Sequence, residues 1–180
     1  HTCLNCLDSS DLVCLGVNNS NSFIAHNVSI FAAPGIGNIY IENSSAEVTD
    51  CYASEIYMTG PSLSNLNISY NTLSASWFFG IYSTTNITNS YIVGNTISDH
   101  GILIASSGNL VDSFIINNKI TSGKIEFAGN NNEVSSNFLD GGDGIRISGG
   151  PMEDIVVFNN TVVNTATTGL TCETNNSYIK

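Results

Sequence analysis

The chain has 180 residues and carries 15 acidic side chains against only four cations, for a net charge of −11. Clustered Lys and Arg, which nucleic acid and anionic membranes require, are therefore excluded as the basis of partner recognition. The length suits one domain with a sizeable core, and charged residues make up only 11% of the chain, so its surface is mostly neutral and polar.

Residues 1–22 hold Cys3, Cys6 and Cys14, three of the five cysteines. This stretch reads as a Cys-rich cap or docking segment. A chain that opens at His1 is expected to be a mature product after signal cleavage, and no run of 18 apolar residues marks a membrane span, so no membrane insertion is expected. Cys3-x-x-Cys6 has no second Cys or His pair at ligand spacing, so disulfides in an oxidising compartment are expected rather than zinc. No metal or other cofactor is expected.

From Phe23 the chain repeats. "FIAHNVSI" with Asn27 is followed by "EVTDCYA" with Cys51, "NISYNTL" with Asn71 and "YIVGNTI" with Asn95. "FIINNKI" with Asn118, "EVSSNFL" with Asn137 and "VVFNNTV" with Asn160 continue it, at spacings of 24, 20, 24, 23, 19 and 23. After most slots comes a Gly-led apolar pair, as in Gly80-Ile81, Gly101-Ile102-Leu103-Ile104, Gly144-Ile145-Arg146-Ile147 and Gly169-Leu170. Gly123-Lys124-Ile125-Glu126-Phe127 is the same element with one insertion. Strands this short cannot close hairpins with two buried faces. A period near 22 residues matches one coil of a solenoid, with coils about 4.8 Å apart and like strands paired in parallel. Asn27, Asn71, Asn95, Asn118, Asn137 and Asn160 are expected to stack as a hydrogen-bonded ladder, with Cys51 in line as a buried free thiol. Helices are excluded, because no stretch keeps an apolar stripe at helical spacing over three turns.

The Gly-Ile-x-Ile … Ile-x-x-Asn-x-Ile rhythm resembles the right-handed parallel β-helix repeat of the pectate-lyase-like superfamily. The resemblance covers roughly Phe23 to Cys172 and implies an all-β, right-handed parallel β-helix (a single-stranded solenoid) of about seven coils, in residues 23–172, followed by a short tail, 173–180. It is specific for fold and nearly silent on function, since that superfamily spans lyases, hydrolases, tailspikes and structural proteins.

Sugar hydrolysis needs two carboxylates on one face. Asp99 and His100 in "SDHG", Asp140 and Asp143 in "DGGDGIRI", and Arg146 are the residues that an enzyme would use here. The pattern is similar to that of polygalacturonases but departs from it. The His stands in Asp-His-Gly, no Asp-Asp doublet occurs, and Ser148 follows Arg146-Ile147. Asp beside Gly also simply closes turns, and that reading is preferred, with no catalytic residue expected.

Two functions follow. The first is an extracellular, secreted or surface-attached structural protein, a β-solenoid subunit stacking head to tail with itself into a filament, sheath or appendage. Cys51 apart, Cys3, Cys6, Cys14 and Cys172 are the disulfide candidates, and Cys172 would reach an N-terminal cysteine only in the next subunit. The second is a small polysaccharide-active enzyme or a module that binds surface glycans. Seven sequons, at Asn18, Asn27, Asn43, Asn67, Asn86, Asn159 and Asn175, permit N-glycosylation.

Overall fold

The computed structural model describes residues 2–5, 13–19, 22–31, 38–74, 79–104, 108–148, 153–172 and 176–179. Every described element is a β-strand, and the strands pair in parallel. They stack as a solenoid of about six turns, roughly 23 residues apart, where the sequence predicts about seven of roughly 22. Among the described residues, one face has eight strands from Phe23–His26 to Asn176–Ile179, whereas the smallest face has four, from Ser62–Ser64 to Gly129–Asn130.

One central coil shows how the sequence makes the turn. Asn67–Ser69 lies on the eight-stranded face and sends Ile68 into the core. Tyr70 then takes a left-handed backbone at φ 57, and the chain turns through Asn71 into Thr72–Ser74 on the large 14-stranded sheet. Ile81–Ser83 returns to that same sheet, Asn86–Thr88 forms the smallest face, and Asn89 at φ 48 turns into Tyr91–Val93, one rung up. Period-two alternation sends one residue in and the next out. The inward residues line up rung on rung: Val48, Ile68, Ile92, Ile115 and Val134 on one wall, Ile39, Ile56, Ile81, Ile102, Ile125 and Ile145 on another. All are essentially inaccessible to solvent, so the core is a continuous β-branched column.

Strands reach beyond both boundaries read from the sequence. Thr2–Asn5 pairs with Val28–Phe31, and Val13–Asn18 with Asn38–Glu42, so part of 1–22 continues the large sheet. Asn176–Ile179, in the expected tail, adds a rung beside Glu153–Phe158.

Candidate functional site

The inner ladder is built where the eight-stranded face meets the large sheet. The Oδ1 atom of Asn95 accepts from the backbone N–H and the Nδ2 of Asn71, each at 3.0 Å. Asn118 does the same for Asn95, Asn137 for Asn118, and Asn160 for Asn137. Each Nδ2 also donates to a carbonyl of an adjoining coil: Asn71 to Val48, Asn95 to Ile68, Asn118 to Ile92, Asn137 to Ile115 and Asn160 to Val134. Cys51 stands next in line, its backbone N–H donating to Asn71 Oδ1 and its buried thiol donating to the carbonyls of Ala25 and Thr49. Burial pushes the Cys51 thiol pKa up.

Asn27 is not in the ladder. Ser29 pairs with Tyr52, which puts Val28 level with Cys51, while Asn27 lies at φ 55 beside the left-handed Asp50. The amide there shapes the turn rather than filling the column. Cys51 and Cys172 form no disulfide. Cys172 is half-buried in line with Ile147. Cys3 and Cys14 are described by backbone alone, and Cys6 lies outside the described residues. Of the sequons, Asn18, Asn86 and Asn159 are exposed and Asn27, Asn43 and Asn67 half-buried, while Asn175 lies outside the described residues.

A second ladder went unread in the sequence. At the opposite end of the eight-stranded face, Leu66 N–H donates to Ser90 Oγ, Ser90 N–H to Ser113 Oγ, and Ser113 N–H to Asn132 Oδ1. Its signal is a left-handed Asn or Asp followed by a small polar residue, as in Asn89-Ser90, Asp112-Ser113 and Asn131-Asn132.

The residues that an enzyme would use lie along one bend of the large sheet. Asp99 at φ 67, His100 at φ 62 and Gly101 at φ 82 are three successive left-handed residues inside the strand Thr96–Ile104. Ser98, Thr121 and Asp140 share a register position, so Asp99 and Asp140 sit two coils apart, about 10 Å by backbone spacing. Pairs of catalytic carboxyls in sugar cleavage sit about 5–9.5 Å apart. Asp140 accepts from Asn164 Nδ2 at 2.8 Å and Asp143 from Thr167 Oγ1 at 3.2 Å, each one coil above. Arg146 reaches Glu126 at 3.7 Å, and Glu126 also pairs with Lys124 at 2.5 Å. Lys124 stands 5.7 Å over the Phe79 ring, which also meets His100 edge-on. His100 and Arg146 thus come into one side-chain chain, Arg146–Glu126–Lys124–Phe79–His100. Asp99, Asp140 and Asp143 do not join it. Among the described residues, no group of three His, Cys, Asp or Glu side chains is placed to hold a metal ion.

Beside this chain Tyr57 stacks on Tyr82 at 5.4 Å, Phe79 stacks on Tyr82 at 5.9 Å, and Tyr40 meets Tyr57 at 5.5 Å with the planes tilted by 41°. Rings stacked along the axis hide their faces in one another and show their edges to solvent. Glu55, on the neighbouring outward column, is half-buried, and desolvation raises its pKa from 4.5 to about 7. Burial likewise raises the Tyr40 and Tyr82 hydroxyls, with Glu42 adding to the first and Tyr57 and Glu55 to the second.

A raised carboxyl contributes stability that is fully present below its unfolded value and is lost as pH rises through about 7. Glu55→Gln is therefore expected to remove about 1–2 kcal/mol of stability loss between pH 5 and 8, after allowing for solvent screening. Urea midpoints at both pH values check this, and an equal pH dependence in both proteins would refute it.

No known protein family, curated protein or solved structure matches the chain.

Proposed function

We propose that this chain is a structural β-solenoid of the right-handed type shared by the pectate-lyase-like superfamily, an extracellular or surface-attached subunit that stacks on copies of itself. The observation that carries the reading is the uninterrupted parallel pairing of the eight-stranded face, held by two internal ladders. Among the described residues, Phe23–His26 and Asn176–Ile179 end that face, each paired on one side only. An edge of this kind accepts another parallel strand in the same register. A contact made by translation along the axis is heterologous and never closes, so it gives a filament rather than a ring.

The acidic side chains near the bend support the same reading. Asp140 and Asp143 each accept a hydrogen bond from the coil above, and Glu126 joins two cations, so these groups tie coils together. Negative-stain microscopy with light scattering over a range of concentrations tests the proposal. Axial polymers whose length grows with concentration are expected, and Asp140→Asn is expected to leave them intact. Lone 19.1 kDa particles at every concentration, together with release of reducing sugar from a polysaccharide that Asp140→Asn abolishes, would replace it with the enzyme reading.

A further inference from the structure

We propose that the eight-stranded face carries a binding slot for a neutral oligosaccharide, centred on Tyr91 and Tyr70. The outward column of that face runs Ile24, Glu47, Asn67, Tyr91, Phe114 and Glu133, one residue per coil. Tyr91 and Phe114 stack with centroids 5.0 Å apart and planes 5° from parallel, so the column has a ring on one side of Tyr91 only. On the other side the next residue is Asn67, whose side chain is too short to cover the ring. Tyr91 is 50% exposed, and its open face looks along the solenoid axis into a groove of about 580 Å³.

Tyr70, 63% exposed, forms a second wall of that groove. Its ring lies across Gly94, where a Cβ would come within 2.7 Å of the ring carbons, so the glycine gives the ring its seat. Asn65, Asn67 and Asn89 supply amides to the lining, beside Leu66, Ser69 and Val93. The side-chain amides of Asn67 and Asn89 make no hydrogen bond to the described residues, while Asn65 Nδ2 reaches only Ser64 Oγ, at 3.3 Å. A second recess of about 190 Å³, reaching Ile24 and Glu47, shares Asn65 and Asn67 with the first. The two follow the axis from Ile24 to Tyr91, three coils or about 14 Å, which suits an oligomer better than one ring.

The chemistry of the lining selects the ligand. A flat, half-exposed tyrosine offers apolar area with a polar edge at low entropic cost, which matches the apolar face of a pyranose. Unengaged amides supply donors and acceptors for hydroxyls, the usual minority of orienting polar groups in a ligand site. Among the described residues no cation lines the groove, and the chain carries −11, so uronates and sulfated sugars are disfavoured.

The proposal does not depend on polymerisation and has its own readout. The protein is made in a host without N-glycosylation, so that Asn67 keeps its amide. Cellopentaose, mannopentaose and laminaripentaose are titrated with saturation-transfer NMR, and trigalacturonate serves as the acidic counterpart. At least one neutral pentaose is expected to bind with a Kd of about 1 mM or tighter, and to bind better than trigalacturonate. Tyr91→Ala is expected to weaken that binding by at least about fivefold, and Tyr91→Phe to retain it, with urea midpoints verifying the fold. Asn89→Gly, which suits the left-handed φ of 48, carries the same test should Tyr91→Ala fail to fold. Failure of all three neutral pentaoses at about 10 mM, preference for trigalacturonate, or a smaller loss in the variants overturns the proposal.

Discussion

Gly101→Ala is expected to destabilise the solenoid by about 3–5 kcal/mol, combining left-handed backbone strain with forced overpacking. Gly101 sits at φ 82 in the bend of Thr96–Ile104, between the inward residues Ile97 and Ile102. A Cβ there would meet Lys124 carbonyl oxygen at 2.0 Å and Lys124 nitrogen at 2.6 Å. Both are backbone atoms of the next coil, so no rotamer can yield. The coils would have to separate locally, breaking the pairing of Ile102 with Ile125 and of Ile97 with Ile120. Gly169→Ala is the control. It lies three coils later in the same register column, its Cβ would find its nearest neighbour at 3.9 Å, and its expected effect is within about 0.5 kcal/mol. Urea midpoints of the two variants decide the matter. Equal midpoints would mean that coil spacing is softer than the backbone contact implies.

That pair also shows what the sequence hides. Gly101 and Gly169 both precede an apolar residue and look alike as letters, yet a Cβ would press one into the backbone of the next coil and bring the other only to Val162, at 3.9 Å. The period, the parallel pairing and the inward Ile columns were legible, because burial forces alternation and stacking forces the same residue types to recur. The slip at Asn27 has a physical cause. Each of these corners has two successive positions that favour asparagine, a left-handed residue and then the ladder residue. Asn117-Asn118 and Asn159-Asn160 fill both with Asn, whereas Tyr70-Asn71, Gly94-Asn95 and Ser136-Asn137 fill only the second. At Asn27-Val28 only the first is Asn, so alignment on the letter lands one residue early.

The serine ladder escaped because Ser90 and Ser113 stand among many exposed serines and threonines, with nothing local to mark them as buried. Glu55 escaped for a related reason, since its desolvation comes from the packing of adjoining coils, not from its sequence neighbours. The slot at Tyr91 needs register as well. Asn67, Tyr91 and Phe114 are 24 and 23 residues apart, and only strand pairing shows that a small residue follows a stacked ring on one side. The candidate catalytic residues were legible as letters, and counting repeats places Asp99 two coils from Asp140, the same spacing as the strand register.

Asn118→Leu is expected to cost about 2–4 kcal/mol, because it keeps the branched heavy-atom skeleton but strips a buried column of its bonds. Asn118 is 1% exposed. Its Oδ1 takes both the backbone N–H and the Nδ2 of Asn95, at 3.0 Å each, while its own Nδ2 donates to Ile92 carbonyl at 2.9 Å and to Asn137 Oδ1 at 3.0 Å. Leucine removes all four. Asn95 Nδ2 retains Ile68 carbonyl and Asn137 Oδ1 retains the backbone N–H of residue 118, so the chief loss is the Asn95 N–H, left buried without its acceptor. A buried donor deprived of its partner costs more than the lost bond was worth, since water cannot replace it. Asn160→Leu sits at the upper end of the ladder, where the residue is half-buried, and is expected to cost less. Hydrogen exchange of the Asn95 and Asn137 amides locates the damage: faster exchange on both sides of position 118 fits a ladder that holds coils together. A variant as stable as the parent, with both amides still protected, would mean that the apolar columns alone hold the solenoid.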